Sequence, residues 1–212
     1  MLASNSISEV NREIFARVTA AIEVNDIRLA TDLASQAVAD GIVHPLFLNL
    51  RAYRLENEGF DAEALSDLRK AAALAPHDPF ILNALGLACA RCGHYEDAVV
   101  AFEKAASEKP DFSQAVLNLG WSLEEIGELA AAKKYYLRAH EAQPNWAEPV
   151  GRLASLAARL GQWCDVREYA ERALSLDPNN SFAVLALGKA EIEQGAFAQA
   201  ENRLRAFLMC PA

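Results

Sequence analysis

The hydrophobic positions along the chain recur with the spacing of α-helices. In the segment NLGWSLEEIGE (118–128), the apolar residues Leu119, Leu123 and Ile126 recur every three or four positions. This spacing places them on one face of a helix. At about 100° per residue, the side chain of Trp121 points to the opposite face, which a helix normally gives to water. The pattern therefore raises the question of what the indole contacts.

Glycine and proline recur along the chain with one constant period. Glycines occur at 59, 93, 127, 161 and 195, with Asn25 one period earlier, and prolines occur at 76, 110, 144 and 178. Glycine and asparagine readily adopt the left-handed backbone that ends a helix, and proline cannot continue one. The sequence thus predicts an all-α chain of helix–turn–helix repeats. Asp78, Ser113 and Ser181 are the expected N-caps.

Within each repeat, the second helix keeps small residues at two places, with a larger residue between them. The first place holds Ala30, Ala64, Ala98, Ala132, Val166 and Ala200; the second holds Ala37, Ala71, Ala105, Ala139, Ala173 and Phe207; the larger residues include Leu68, Phe102, Tyr136 and Leu204. Small side chains let neighbouring helices approach closely. We expect enlarging Ala98 or Ala132 to overpack this interface, at a cost of about 1–3 kcal/mol.

Seven residues of the repeat at 79–112 form a known pattern: Leu85, Gly86, Tyr95, Ala98, Phe102, Ala105 and Pro110. In this pattern and in its constant period the chain resembles tetratricopeptide repeat (TPR) proteins. The resemblance covers six repeats, at 11–44, 45–78, 79–112, 113–146, 147–180 and 181–212. It implies a right-handed α-solenoid, and we expect residues 1–212 to form one domain. The second repeat departs from the pattern at Arg51, where leucine is usual.

The resemblance also implies that the first helices line a concave groove, into which Trp121 projects. Such a surface, rich in aromatic and aliphatic side chains, is typical of a partner-binding site, although the same side chains could instead cover one another. We expect a peptide or partner protein to contact Tyr53, Phe80, Asn83, Leu87, Gln114, Leu117, Asn118, Trp121 and Glu124. The apolar members of this set would anchor the peptide, and the amides would bind its backbone.

One known use of TPR grooves is not expected here. TPR domains of chaperone partners clamp a peptide's terminal carboxylate with lysine, arginine and asparagine side chains. In this sequence Leu87 stands where the first asparagine is needed. Glu148 stands where the second lysine is needed, and its charge repels a carboxylate.

Candidate chemistry is sparse. Cys89 and Cys92 form a CxxC at the end of a first helix, and no second CxxC occurs. We therefore predict buried apolar filler rather than a redox or zinc site. The four histidines form no recognisable site, and the chain contains no phosphate loop, G-x-S-x-G or H-E-x-x-H motif. We expect no catalytic residue, no metal and no cofactor.

Charge and composition narrow the range of partners. The formal net charge is −9 and no basic cluster occurs, which argues against nucleic acid or an anionic membrane as a partner. No apolar run approaches the roughly 18–20 residues of a membrane span, and the N-terminus lacks the features of a signal peptide. Four cysteines at irregular spacing are typical of a reduced, cytoplasmic protein.

The sequence ends at LRAFLMCPA, directly after the predicted second helix of the sixth repeat. This leaves Phe207, Leu208 and Met209 without a following helix, so we expect this edge to contact a further domain of a longer protein or a second copy. Segments 44–52 and 78–93 are similar to repeat regions of aspartyl/asparaginyl β-hydroxylase-like oxygenases and TPR-bearing sulfotransferases. A protein-interaction module is the preferred function. A substrate-presenting or regulatory segment of such an enzyme and self-assembly are the alternatives.

Overall fold

The computed structural model of the protein describes the backbone of residues 2–209 and the side chains of residues 12–209. The described residues form twelve α-helices and no strand, which confirms the all-α fold of helix–turn–helix repeats. The helices are α1 (Leu2–Glu23), α2 (Ile27–Ala39), α3 (Pro45–Asn57), α4 (Asp61–Leu74), α5 (Pro79–Arg91), α6 (Tyr95–Glu108), α7 (Ser113–Glu125), α8 (Leu129–Ala142), α9 (Ala147–Arg159), α10 (Trp163–Leu176), α11 (Ser181–Glu193) and α12 (Phe197–Met209).

The helices form two compact units, Met1–Lys109 and Pro110–Ala212, which we call the N-terminal and C-terminal units. In the N-terminal unit, α1–α2, α3–α4 and α5–α6 are hairpins, α2 packs on α3, and α4 packs on α5. In the C-terminal unit, the hairpins are α7–α8, α9–α10 and α11–α12, and α9 also packs on α11. The expectation of one domain spanning both units stays a prediction.

The turn inside each hairpin contains one residue in the left-handed backbone region. Asn25 has φ 57°, and the five periodic glycines have φ between 70° and 87°. A Cβ added to any of these glycines would meet no atom within 4 Å. The turns therefore require glycine or asparagine for backbone conformation and not for space.

Two of the three expected N-caps are wrong by one residue. Asp78 caps α5 as predicted, because its side chain accepts hydrogen bonds from two N–H groups of the first turn. Ser113 and Ser181, by contrast, are the first helical residues of α7 and α11. The cap of α11 is Asn180, whose Oδ1 accepts a hydrogen bond from the Ala183 N–H at 3.0 Å.

The small residues of the second helices lie in the core. Every alanine at the two predicted places, and Val166, is at most 2% exposed, whereas Phe207 is only half-buried. The larger residues Phe102 and Tyr136 are fully buried. Each of these two rings lies against a glycine of the preceding helix, Phe102 against Gly86 and Tyr136 against Gly120. The glycines thus provide the space that the rings fill.

Arg51, which departs from the repeat pattern, has a partner in the other helix of its hairpin. Its guanidinium donates two hydrogen bonds of 2.6 Å to the carboxylate of Asp67, which is 2% exposed. The hydrogen bonds to Asp67 hold the pKa of Arg51 above its usual range. The Arg51–Asp67 ion pair therefore replaces the apolar contact that a leucine at position 51 would form.

None of the helices described in residues 2–209 is long and apolar enough to cross a membrane.

Candidate functional site

A pocket of about 400 Å³ lies on α3 and α5 of the N-terminal unit. Its apolar lining consists of Ile27, Leu50, Leu68, Ala84 and Leu87, and its polar lining consists of Asn49, Tyr53, Glu56 and Asn83. Three of the predicted contact residues, Tyr53, Asn83 and Leu87, are therefore brought together. We call this cavity the α3–α5 pocket.

The repeat explains why these side chains meet. Asn49, Tyr53 and Glu56 follow one another at helical spacing, so they share a face of α3. Asn83 and Leu87 occupy the equivalent places in α5, one repeat period after Asn49 and Tyr53. Because α3 and α5 are in contact, the two asparagines lie on neighbouring helices at the same level of the repeat.

Exposure differs among the predicted residues of the N-terminal unit. Tyr53 is 52% exposed, and Asn83 and Leu87 are half-buried. Phe80 is 56% exposed but does not line the pocket. The Lys109 ammonium lies 4.8 Å from the centre of the Phe80 ring, a cation–π contact. The structure thus places Phe80 beside a cation rather than among the leucines of the pocket.

Glu56 is a partly desolvated carboxylate in the pocket. Its side chain is 17% exposed, and burial raises its pKa, with a smaller contribution from Asp61. Arg91, whose Nη1 lies 4.0 Å from the Oε2 of Glu56, lowers this pKa. The Nε of Arg91 donates a closer hydrogen bond, of 3.0 Å, to Asp61. Among the described side chains, the cation paired with Glu56 is thus Arg91, which lies closer to the Asp61 carboxylate.

In the C-terminal unit, Trp121 lies beside an arginine that also packs on a second aromatic ring. The Arg152 guanidinium carbon is 6.0 Å from the centre of the Trp121 ring and 4.5 Å from that of Phe182. Arg152 also donates two hydrogen bonds to Glu148, at 3.0 and 3.1 Å, and the indole N–H donates to Glu125 at 3.1 Å. The half-buried indole is therefore held by polar neighbours on the face opposite the apolar stripe.

Three predicted contact residues of the C-terminal unit are buried. Leu117 is 1% exposed, Asn118 7% and Glu124 8%. Gln114 is exposed, and its amide donates a hydrogen bond of 3.2 Å to Asn118. The surface that this unit offers to a ligand therefore comes from Gln114 and Trp121 rather than from Leu117.

Glu124 already has two partners inside the protein. Its carboxylate accepts hydrogen bonds from the Tyr136 hydroxyl at 2.7 Å and from Arg159 at 2.6 Å. Burial and the Glu124 carboxylate raise the pKa of Tyr136 far above its usual value, and nearby Arg152 partly opposes this shift. Tyr136 therefore stays a neutral hydrogen-bond donor, and Glu124 links three helices of its unit.

Asn49, Glu56 and Arg152 belong to these surfaces but were not among the expected contacts. The repeat could have found two of them, because Asn49 lies one period before Asn83 and Arg152 lies one period after Asn118. Helical spacing places Glu56 on the same face of α3 as Asn49 and Tyr53, but its burial depends on the packing of α3 and α5, which the sequence pattern does not report.

Cys89 has the buried environment predicted for apolar filler, whereas Cys92, for which the same was predicted, is only half-buried. Cys89 is 2% exposed, and burial raises the pKa of its thiol to about 11. Burial also raises the pKa of the half-buried Cys92. In the described part of the chain, no group of three His, Cys, Asp or Glu residues could hold a metal ion. Cys210 lies outside the described residues.

The predicted C-terminal edge is described only in part. Leu208 is 81% exposed and Met209 is 75% exposed, whereas Phe207 is half-buried. Residues 210–212 lie outside the described residues. Contact of this edge with another domain or a second copy stays a prediction.

Comparison with known proteins finds one family model that matches part of the chain. The family model described as "Tetratricopeptide repeat" matches residues 91–160. No curated protein matches the sequence. The type IV pilus biogenesis factor PilW is similar in structure, with a TM-score of 0.77 and 23% identity over 93% of each chain. YrrB, "a TPR protein with an unusual peptide-binding site", has a TM-score of 0.67 and 16% identity over 80% of this chain and 87% of its own.

A third similar structure is the first TPR of Spaghetti (RPAP3) bound to the HSP90 peptide SRMEEVD. Its TM-score is 0.53, with 22% identity over 55% of this chain and 93% of its own. At these identities the three structures show the fold alone. The link to oxygenases or sulfotransferases stays a prediction, because the matching family model describes the repeat and no catalytic domain.

Proposed function

Because the chain carries tetratricopeptide repeats in an all-α fold, we propose that it is a protein-interaction module that binds an extended peptide segment of a partner. The observation that carries this proposal is the α3–α5 pocket, which gathers Tyr53, Asn83 and Leu87. The fold neighbours support it: one was solved with a peptide bound, and another is described by its peptide-binding site.

The pocket has the composition that an extended peptide requires. Its apolar residues can cover one side chain of the peptide, and its volume of about 400 Å³ falls within the roughly 300–1,000 Å³ of small-ligand sites. The Asn49 amide carries a donor and an acceptor, which match the C=O and N–H of a peptide backbone. Asn49 therefore helps to fix the direction of the bound segment.

Exposure disfavours the alternative in which the groove side chains only cover one another. Tyr53 and Phe80 each keep more than half of their surface accessible. Exposed aromatic rings are frequent anchors of interfaces, because they bury a large area at little cost in conformational entropy. In the C-terminal unit, Gln114 and Trp121 offer a second contact surface, and our proposal includes them rather than the buried Leu117.

We also propose a cytoplasmic location, which rests on cysteine usage. Cys89, Cys92 and Cys164 are free thiols, as is usual in a reducing compartment. Fractionation of the cells that produce the protein tests this, and recovery with the periplasmic or secreted fraction contradicts it.

Selection from a displayed library of random peptides tests the interaction function. The enriched peptides are then titrated against the wild type and Tyr53→Ala, with Phe60→Ala as the control. Tyr53 and Phe60 are 52% and 50% exposed, but only Tyr53 lines the pocket. Because truncation of an anchoring aromatic commonly costs more than about 1.4 kcal/mol, we expect Tyr53→Ala to weaken binding at least about tenfold. Failure to enrich any peptide, or equal effects of the two variants, contradicts the proposal.

A further inference from the structure

Charge is unevenly divided between the two units. The N-terminal unit has sixteen acidic and ten basic residues, whereas the C-terminal unit has thirteen acidic and ten basic residues. The α3–α5 pocket lies in the more acidic unit, and the described residues of its lining include the Glu56 carboxylate but no cationic side chain. The pocket therefore favours a positively charged group over a negative one.

The apolar lining suits the stem of a long side chain. Leu50 and Leu87 belong to the pocket wall, and Glu56 lies one turn beyond Tyr53 on α3. Lysine and arginine bury their methylene stems on apolar surface while the charged end reaches a polar group. A leucine or phenylalanine side chain would fill the same wall but leave Glu56 partly desolvated and poorly paired.

We propose that the α3–α5 pocket binds an arginine or lysine side chain of the partner peptide, with its stem on Leu50 and Leu87 and its cation paired with Glu56. This inference rests on the proposed function and specifies the chemistry of the partner.

Arg91 does not already fill this role. Its closest contact with a carboxylate is the 3.0 Å bond to Asp61, and its distance from the Glu56 carboxylate is 4.0 Å. Arg91 is not part of the pocket lining. A cation inside the pocket would form a shorter, charge-assisted hydrogen bond with the partly buried Glu56 carboxylate. Burial of Glu56, which raises its pKa, increases the gain from such a partner.

Peptide pools with one fixed central residue and randomised flanks test the proposal. The fixed residue is arginine, lysine, citrulline, leucine or glutamate, and binding to the full chain is followed by fluorescence anisotropy. Citrulline has nearly the shape of arginine without its charge. Because hydrogen bonds to charged groups contribute about 1.5–3 kcal/mol, we expect the arginine pool to bind at least about tenfold more tightly than the citrulline pool. The lysine pool should bind more tightly than the glutamate pool.

Two variants assign this preference to one carboxylate. Glu56→Gln should abolish the difference in affinity between the arginine and citrulline pools. Glu63→Gln removes the same charge from an exposed residue of α4 outside the pocket, and it should leave the difference intact. The wild-type comparison of arginine with citrulline needs no variant, so it tests the proposal even if a substitution disturbs folding.

The possible outcomes separate the two proposals. Equal binding of the arginine and citrulline pools, or tightest binding of the leucine pool, overturns recognition of a cation and leaves the peptide-binding function standing. A preference for arginine that persists in Glu56→Gln overturns the assignment to this pocket. Absence of binding by every pool overturns both proposals.

Discussion

Gly120 faces the ring of Tyr136 inside the α7–α8 hairpin. A Cβ on residue 120 would lie 2.7 Å from the ring atoms Cδ1 and Cε1, closer than real Cβ atoms come to other heavy atoms. Tyr136 cannot easily withdraw, because it is fully buried and its hydroxyl is held by Glu124 at 2.7 Å. We therefore predict that Gly120→Ala destabilises the C-terminal unit, although alanine is the better helix former.

Two opposing terms give the magnitude of this effect. Alanine in place of glycine inside a helix gains about 1 kcal/mol of helix propensity. Overpacking a rigid core costs about 1–3 kcal/mol, so the net change for Gly120→Ala is a loss of about 0–2 kcal/mol. Gly188 provides a matched control in the same unit, because its added Cβ would lie 3.4 Å from the flexible side chain of Leu204. Gly188→Ala should therefore be neutral or stabilising by up to about 1 kcal/mol.

Urea unfolding followed by circular dichroism measures both variants. The expected result is a lower midpoint for Gly120→Ala than for Gly188→Ala, with similar slopes, and a separation of up to about 3 kcal/mol. Gly86→Ala, which brings a Cβ to 2.6 Å from the Phe102 ring, repeats the test in the N-terminal unit. A gain in stability for Gly120→Ala equal to that of Gly188→Ala would refute the account of ring packing against glycine.

Three further predictions concern single side chains. Arg51→Leu should lower the free energy of unfolding by about 1–3 kcal/mol, because it removes both hydrogen bonds to the buried Asp67 carboxylate and leaves it the more distant Lys70 ammonium at 4.0 Å. Arg51→Leu combined with Asp67→Leu should recover most of this loss, and a neutral single variant contradicts the account. Burial lowers the pKa of His44, whose Nδ1 accepts a hydrogen bond from the Leu46 N–H. The stability contributed by neutral His44 is therefore fully present above its ordinary pKa of 6.5 and is lost as the pH falls through the lower pKa of the folded state. Urea unfolding between pH 7 and pH 5 should show this loss reduced in His44→Asn, and identical pH profiles for the two proteins would refute it. Because burial raises its thiol pKa from 9.0 to about 11, Cys89 should react with iodoacetamide at least about tenfold more slowly than an ordinary thiol at pH 7. Rapid labelling seen by mass spectrometry would contradict this.

The fold could be read from the sequence because its signals are local. The left-handed turn at Asn25 and the helix-ending glycines depend on backbone preference, which the residue type expresses directly. The residue at which each helix begins is harder to predict from the sequence. Both Asn180 and Ser181 have side chains that can cap a helix, and only the packing of the chain decides which one does.

The candidate site was less predictable because it depends on contacts between helices. The pattern predicted that Tyr53, Asn83 and Leu87 share the groove face, and these three residues line one pocket. It did not reveal that Leu117 is buried, nor that Glu124 is paired with Tyr136 and Arg159. Burial of a residue off the apolar stripe is set by neighbouring helices, which periodicity within one helix does not report.

The most direct test of the central claim is an NMR titration of the ¹⁵N-labelled protein with a peptide from the library selection. If the α3–α5 pocket binds the peptide, the backbone signals of Tyr53 and Leu87 and the side-chain amide signals of Asn49 and Asn83 should shift and saturate together. Saturation of binding with these four sets of signals unmoved would contradict the account.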